Sequence, residues 1–469
     1  MDRLNFALFA LAGAFWGCSR PNPQYCESDA ACPSGMTCDL VHRQCTSGSV
    51  DAAVDFAMPD LATPDLSTGC TTSATCTDPM KPICTNMMCA GCTKDAQCMS
   101  KDPMRPICNM NQCVQCQTSM DCMNPLPFCD QTGTCAKCTA NNQCTSLLCK
   151  SDGTCEDPNN ITYVDSGNNA CSNAKGSGTM ATPYCQIQNA ITANLGKPIV
   201  VYGSNTPYMP LNIGSMNATI TLIGPGRDAM PAAVVSSANA TTAINLAGAG
   251  NTVTVDGFDV KSTMGYGVYC AGGNMLTILR SRIHNCGIKG VSINNCDAVL
   301  DEDRLNGNSQ GGFQINFGSY KITNCMVVEN NGPGPGNPAV DLSGGTGLFQ
   351  HNTVAANVQM VGIGGVSCGM NNAKAIENSI IWGNSQSSGT QLFGNCTLTN
   401  VDIDETATGM GVRSMQPDFT ADYHLVKDAP NMACCIDQIQ SSQVDHDFDG
   451  TPRPQPVNGK FDIGAHEVK

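Results

Sequence analysis

Residues 278–293 read ILRSRIHNCGIKGVSI and residues 300–315 read LDEDRLNGNSQGGFQI. Set one above the other, Ile278 falls on Leu300, Ile283 on Leu305, and the Gly290-Val291-Ser292-Ile293 run on Gly312-Phe313-Gln314-Ile315. The register extends both ways at intervals of 22 to 27 residues. One apolar series is Val260, Ile283, Leu305, Val327, Val354 and Ile381, each followed three residues later by Thr263, Cys286, Asn308, Asn330, Asn357 or Asn384. Five residues ahead of each lies a second series, Val255, Ile278, Leu300, Ile322, Phe349 and Ile376. A repeat of this length is one supersecondary unit of a solenoid. Parallel strands stacked about 4.8 Å apart put equivalent residues directly above one another, so an interior must appear as apolar columns. Asn suits the bends, where it tolerates the left-handed conformation and can bond to the next rung. The expectation is an all-β chain built around a right-handed, single-stranded parallel β-helix.

A leucine-rich solenoid is excluded, because Leu is scarce and no helical segment recurs. Both ends of the periodic region suit a β-helix. Ahead of the first rung stands Thr182-Pro183-Tyr184-Cys185-Gln186-Ile187-Gln188-Asn189-Ala190-Ile191, preceded by Tyr163-Val164-Asp165 and followed by Pro198-Ile199-Val200-Val201-Tyr202-Gly203. This segment resembles the entry segment of the right-handed β-helix proteins of the pectate-lyase-like superfamily, which implies a short amphipathic helix covering the first rung. Asp447-Phe448-Asp449-Gly450-Thr451-Pro452-Arg453-Pro454 and then Phe461-Asp462-Ile463-Gly464-Ala465-His466-Glu467 resemble the ending of the choice-of-anchor Q domain. The resemblance spans roughly residues 160–469 and implies the fold, not an activity. Members of that family commonly carry a C-terminal sorting anchor, which here would give way to an N-terminal lipid.

That lipid is expected at Cys18. Residues 1–17 carry Arg3 followed by the apolar stretch Leu4 to Trp16, too short to span a bilayer. Gly17-Cys18-Ser19 resembles a bacterial lipobox, which implies an exported lipoprotein of the cell envelope, most naturally the outer membrane. Cleavage after Ala12-Gly13-Ala14 is the alternative. Of 31 cysteines, Cys18 is the one left over once the rest are grouped in even sets. The chain then divides into a Cys-rich module at 18–45, an acidic Pro/Asp spacer at 46–69, a Cys-rich array at 70–157 and the β-helix at 158–469. The module holds Cys26, Cys32, Cys38 and Cys45. The array repeats that outline four times: Cys70, Cys76, Cys84, Cys89; Cys92, Cys98, Cys108, Cys113; Cys116, Cys122, Cys129, Cys135; and Cys138, Cys144, Cys149, Cys155. Units of 22 to 24 residues cannot bury a core, so two disulfides each would hold them. The Cys-x-x-Cys spacings at Cys89/Cys92, Cys113/Cys116 and Cys135/Cys138 also suit zinc or iron–sulfur ligation. An exported chain with no histidine between His42 and His284 favours disulfides, whose connectivity the spacing leaves open. The array resembles short Cys-rich repeats of bacterial surface lipoproteins and reads as a stalk or binding array.

The net charge of −15 and a pI near 4.6 leave no basic cluster for nucleic acid. Polysaccharide lyases of this fold need a basic residue beside calcium-binding carboxylates, and hydrolases need a carboxylate cluster. Neither set stands out. The nearest approach is Asp301 and Asp303 in Asp-Glu-Asp-Arg, with Arg280 and Arg282 one rung earlier and Lys289 in the following turn. Its bland alternative is a solvated acidic rung paired with a basic one. His284 and His351 stand alone in the sequence. Asp445, Asp447 and Asp449 begin a D-x-D-x-D-G calcium loop, but Pro456 replaces the bidentate Glu at the twelfth position. A structural turn explains the same residues. The expected function is binding or structural, with glycan or protein held along the β-helix; the alternative is a polysaccharide lyase or glycoside hydrolase.

Overall fold

A computed structural model describes residues 69–193, 196–238, 242–332, 337–359, 362–384 and 390–469, with the backbone alone of Thr37–Asp39 and Gln44–Thr46. The chain separates into Met1–Gly69 and Cys70–Lys469. In the first unit the two short strands pair antiparallel with Cys38 opposite Cys45. Cys18, Cys26, Cys32, the leader and nearly all of the spacer lie outside the described residues.

From residue 162 onward the chain is a parallel β-solenoid. One turn shows the plan: strands Val268–Ala271, Met275–Leu279 and Arg282–His284 lie on a first, second and third face, and each pairs in parallel with its equivalent one turn on. The third face holds eight strands in unbroken chain order. The two apolar series are true columns. Val260, Ile283, Leu305, Val327, Val354 and Ile381 are successive partners on the third face, and Val255, Ile278, Leu300, Ile322, Phe349 and Ile376 on the second. All are buried in one continuous core.

The corners are as specific as the strands. Asn308, Asn330, Asn357 and Asn384 are all buried. Each Nδ2 donates to the Oδ1 of the next, at 2.8, 2.9 and 2.7 Å, until Asn384 donates to Gln391 Oε1 at 2.9 Å. Each Oδ1 also accepts the backbone N–H of the turn before. The corner is so tight that a Cβ on Gly290 would lie 2.7 Å from the Gly312 carbonyl oxygen, which is why Gly precedes the next strand. From strand Thr252–Asp256 onward, the bend between the second and third faces is two residues long. Its first residue is left-handed throughout, at Gly257, Arg280, Glu302, Asn324, His351, Asn378 and Asn400.

Helix Ile187–Ala193 buries Ile187, Ala190 and Ile191 against Val164, Ile199 and Leu211, closing the first turn. The C-terminal residues fold back over the outside of the third face. Phe448 and Ala465 pack on Met326, Val328 and Ala355, while Ile436, Ile439 and Ile463 cover Ile380. A fully buried Arg453–Glu467 pair at 2.9 Å holds this return segment together.

In the array, each unit pairs its first cysteine with its third and its second with its fourth. The bonds are Cys70–Cys84 and Cys76–Cys89, Cys92–Cys108 and Cys98–Cys113, Cys116–Cys129 and Cys122–Cys135, Cys138–Cys149 and Cys144–Cys155. The disulfide alternative therefore prevails over a metal in all four units. The last unit lies on the solenoid. Leu147 and Leu148 pack against Ile161, Tyr163, Val200 and Ile223, and the Tyr163 hydroxyl donates to the Ser146 carbonyl at 3.2 Å. Within the solenoid Cys171–Cys185, Cys270–Cys296, Cys368–Cys396 and Cys434–Cys435 are bonded, whereas Cys286 and Cys325 are buried thiols.

Candidate functional site: a groove at the junction of array and solenoid

Where the last array unit leaves the solenoid, a groove of about 1020 Å³ opens. One wall is Lys137 to Gly153; the other is the rim of the second face, with Tyr202, Asp256, Arg280, Glu302, His446 and Asp449. The left-handed bend explains why Arg280 and Glu302 reach it. A non-Gly residue there costs about 1–3 kcal/mol, so a charged side chain in place of Gly or Asn invites a reason beyond folding. Both side chains project from that bend toward the groove.

Arg280 Nε lies 3.0 Å from Asp256 Oδ1, and a second guanidinium nitrogen pairs with Oδ2, a two-point contact of the kind guanidinium and carboxylate favour. One turn on, His446 arrives from the C-terminal return segment. Its Nε2 lies 3.0 Å from Asp301 Oδ2 and 3.1 Å from Glu302 Oε1, and its Nδ1 lies 2.7 Å from Asp445 Oδ1. The hydrogen bond that Asp301 accepts from it, with further help from Asp445, pushes the imidazole up to about 9 against its own burial. Burial pushes Glu302 up to about 7, even though His446 and Arg280 oppose that shift. Burial also works against ionising Asp301, but the bonds from His446, Thr323 and Asn324 hold its carboxyl below the ordinary range. Two adjacent carboxyls with opposite shifts are the arrangement from which acid and base roles are drawn.

Beneath this corner Arg227 fixes the return segment. Its Cζ sits 3.4 Å over the Phe448 ring, Nη1 donates to the Phe448 carbonyl at 2.9 Å, and Nη2 pairs with Asp449 at 3.0 Å. The acidic corner is thus partly a receptor for the chain's own C-terminal segment.

The five residues singled out on the Asp-Glu-Asp-Arg rung do not converge. Arg280 lines the groove together with Glu302, whereas Asp301 is not part of the lining and holds His446 beside it. Asp303 is wholly buried in a second corner ladder, where its Oδ1 accepts the Ser281 N–H at 2.8 Å and its Oδ2 has no partner. Burial drives its carboxyl far above the normal range, and its contacts are structural. Arg282 bonds Asn306 Oδ1 at 3.1 Å on the third face. Lys289 is buried at a different corner, donating to the Gln310 carbonyl at 2.6 Å, and burial lowers it to about 8.

The Asp445-x-Asp447-x-Asp449 loop also disperses its carboxylates. Asp447 is buried and accepts the N–H groups of Asp449, Thr451 and Glu467. Asp449 holds Arg227 and His424, and Asp445 holds His446. The oxygens serve donors of the protein, a turn's arrangement. His284 pairs with Asp259 at 2.9 Å, and His351 is buried against Ser442 and Asn378.

Glu302, His446 and Arg227 were the residues sequence reading passed over. Glu302 stood in the quoted motif; His446 and Arg227 had no signal, because the rung they reach, at Asp301 and Glu302, is 145 and 75 residues away. A second, smaller groove of about 540 Å³ lies on the first face between Asn212, Asn245, Tyr266 and Tyr269. The two tyrosine rings there are 5.5 Å apart.

No protein-family model matches the chain, and no curated protein is similar enough to count as a relative. Among solved structures, a crystal structure of the pectate lyase Pel9A matches 66% of this chain and 96% of its own, at 15% identity and a TM-score of 0.29.

Proposed function

We propose that this is an exported, envelope-anchored surface protein that binds glycan segments in the groove between the last Cys-rich unit and the β-helix. The observation that carries the reading is the groove itself. Its volume suits a few sugar units, and its lining of planar carboxylate, guanidinium and imidazole groups suits ligand hydroxyls. The Arg280–Asp256 and His446–Asp301 pairs offset their own charges, which favours a neutral or weakly charged chain over a strongly anionic one. Export is supported by twelve disulfides among the described residues, which need an oxidising compartment. Lipidation at Cys18 then supplies the anchor. A glycan array probed with the full chain tests the reading: binding that falls at least tenfold in Arg280→Ala supports it. Binding unchanged by Arg280→Ala but lost in Tyr269→Ala would move the site to the first face.

One observation favours a second reading, a polysaccharide hydrolase or lyase. Burial raises Glu302 to about 7 while its neighbour Asp301 is held below the ordinary carboxylate range, the division of labour an acid–base pair needs. Incubation with acidic and neutral polysaccharides, assayed for reducing or unsaturated ends, decides it. Product released by the parent and abolished in Glu302→Gln would replace binding with catalysis.

A further inference from the structure

Methionine is usually an interior residue. Here the described residues expose twenty-one large apolar side chains, and seventeen of them are methionine. Met110 is 87% exposed, Met120 85% and Met230 97%. Eight of the seventeen lie between Met80 and Met123 in the Cys-rich array; the rest are scattered over the solenoid. The interior shows the converse. Its columns are Val, Ile, Leu and Phe, with Met326 the one wholly buried methionine among the described residues. Two array hairpins even place methionine in turns whose central residues both have positive φ, Asn86-Met87 and Met110-Asn111, where Asn-Gly is the usual choice.

Other sulfur is withheld from solvent chemistry. From Cys70 onward every cysteine is in a disulfide except Cys286 and Cys325, and those two are buried. The exposed thioethers are therefore the soft, readily oxidised groups this surface offers. Oxidation of a core methionine puts a polar sulfoxide where packing is tight, whereas the same change in solvent disturbs little.

We infer that the exposed methionines form a sacrificial sink for two-electron oxidants such as hydrogen peroxide or hypochlorous acid. With peroxide, a sulfur lone pair attacks one oxygen, the O–O bond breaks, and the displaced hydroxide takes up the remaining proton. Methionine becomes methionine sulfoxide, the peroxide is reduced to water, and a sulfoxide reductase restores the thioether. The dispersion of the residues over array and solenoid suits a sink, which needs exposure but no geometry. The inference does not depend on what the groove binds.

Stepwise peroxide addition to the full, disulfide-intact chain tests it, followed by peptide mapping and calorimetry. The expected result is sulfoxide at most of the seventeen exposed positions, Met326 still reduced, and a melting temperature moved by no more than about 2 °C. Replacing the eight array methionines by Gln should cut peroxide uptake by about half with no loss of folding. If that variant fails to fold, Met209→Gln, Met230→Gln, Met264→Gln and Met370→Gln together should cut it by about a quarter. Three outcomes overturn the inference: cooperative unfolding with the first sulfoxides, oxidation of Met326 in step with the exposed set, or stoichiometric Ag⁺ binding that protects the thioethers. The last would make them soft-metal ligands.

Discussion

The array and the β-helix meet in one stretch of chain, Cys70–Lys469, and reach order by opposite means. An array unit has almost no interior: apart from its cysteines, a residue such as Ile83 or Val114 is all that is buried. Two crossed disulfides replace the missing core, and each closes a loop of 11 to 16 residues. A solenoid turn has no such need, because each added rung buries its own apolar columns against its neighbours and extends the ladder at the corner. Order in the array is covalent and local. Order in the solenoid is cooperative and propagates along the axis.

The largest effects are expected where that contrast is sharpest. Closing a loop of about 15 residues contributes about 3 kcal/mol, so Cys92→Ala with Cys108→Ala should unfold the second unit while the β-helix persists. Limited proteolysis should then cut within residues 92–113, with strand-type circular dichroism retained. Loss of solenoid signal would show that the array is no independent layer. In the solenoid, Asn330→Ala removes a side chain that bonds Asn308, Asn357 and the Leu305 carbonyl, leaving buried groups unmet. A cost of about 2–4 kcal/mol follows, read as a lower melting temperature of the whole solenoid. An equal substitution at Asn294, the half-exposed last residue of strand Val291–Asn294, should cost far less.

The seam between the two regions should respond more weakly. Leu147→Ala with Leu148→Ala removes the apolar contact to Tyr163 and Val200, which are only part of that interface. About 1–3 kcal/mol is expected, seen as faster proteolysis of the last unit and loss of groove binding with the solenoid's melting unchanged.

The smallest effect is titration of the corner that holds the C-terminal segment. His446 is about 9 when folded against 6.5 when free, so its ion pairs stabilise the fold fully below pH 6.5 and are lost as pH rises through about 9. Asp301 is shifted down, so its share is present above the ordinary carboxylate range and lost as pH falls through it. Release of the segment, followed by hydrogen exchange near Phe448, should therefore rise above pH 9. His446→Gln should abolish that alkaline step; an unchanged step would assign it to another group.

Fold and site differed in how openly the sequence carried them. The columns at Ile283 and Ile278 were legible because a solenoid repeats one environment, and each rung restates the same requirement at the same interval. Asn308, Asn330, Asn357 and Asn384 were legible as a ladder for the same reason. The site has no such redundancy. Asp301 and Arg280 were noticed for their charge, yet so was Asp303, which proved to point inward. Alternation places Asp303 beside Asp301 in sequence, but it lies beyond a left-handed bend that turns the chain between them.

Residue order alone specified the period, the apolar columns and the even grouping of array cysteines. Those features rest on local spacing and on the rise of stacked strands, which any reading of the chain contains. Folding had to occur before the disulfide pairing, the seating of Leu147 and Leu148, and the meeting of His446 with Asp301 and Glu302 could be known. Each depends on where a distant segment comes to rest. His446 finds its carboxylates across 145 residues because the C-terminal segment turns back over the third face, and no periodicity in the sequence records that return.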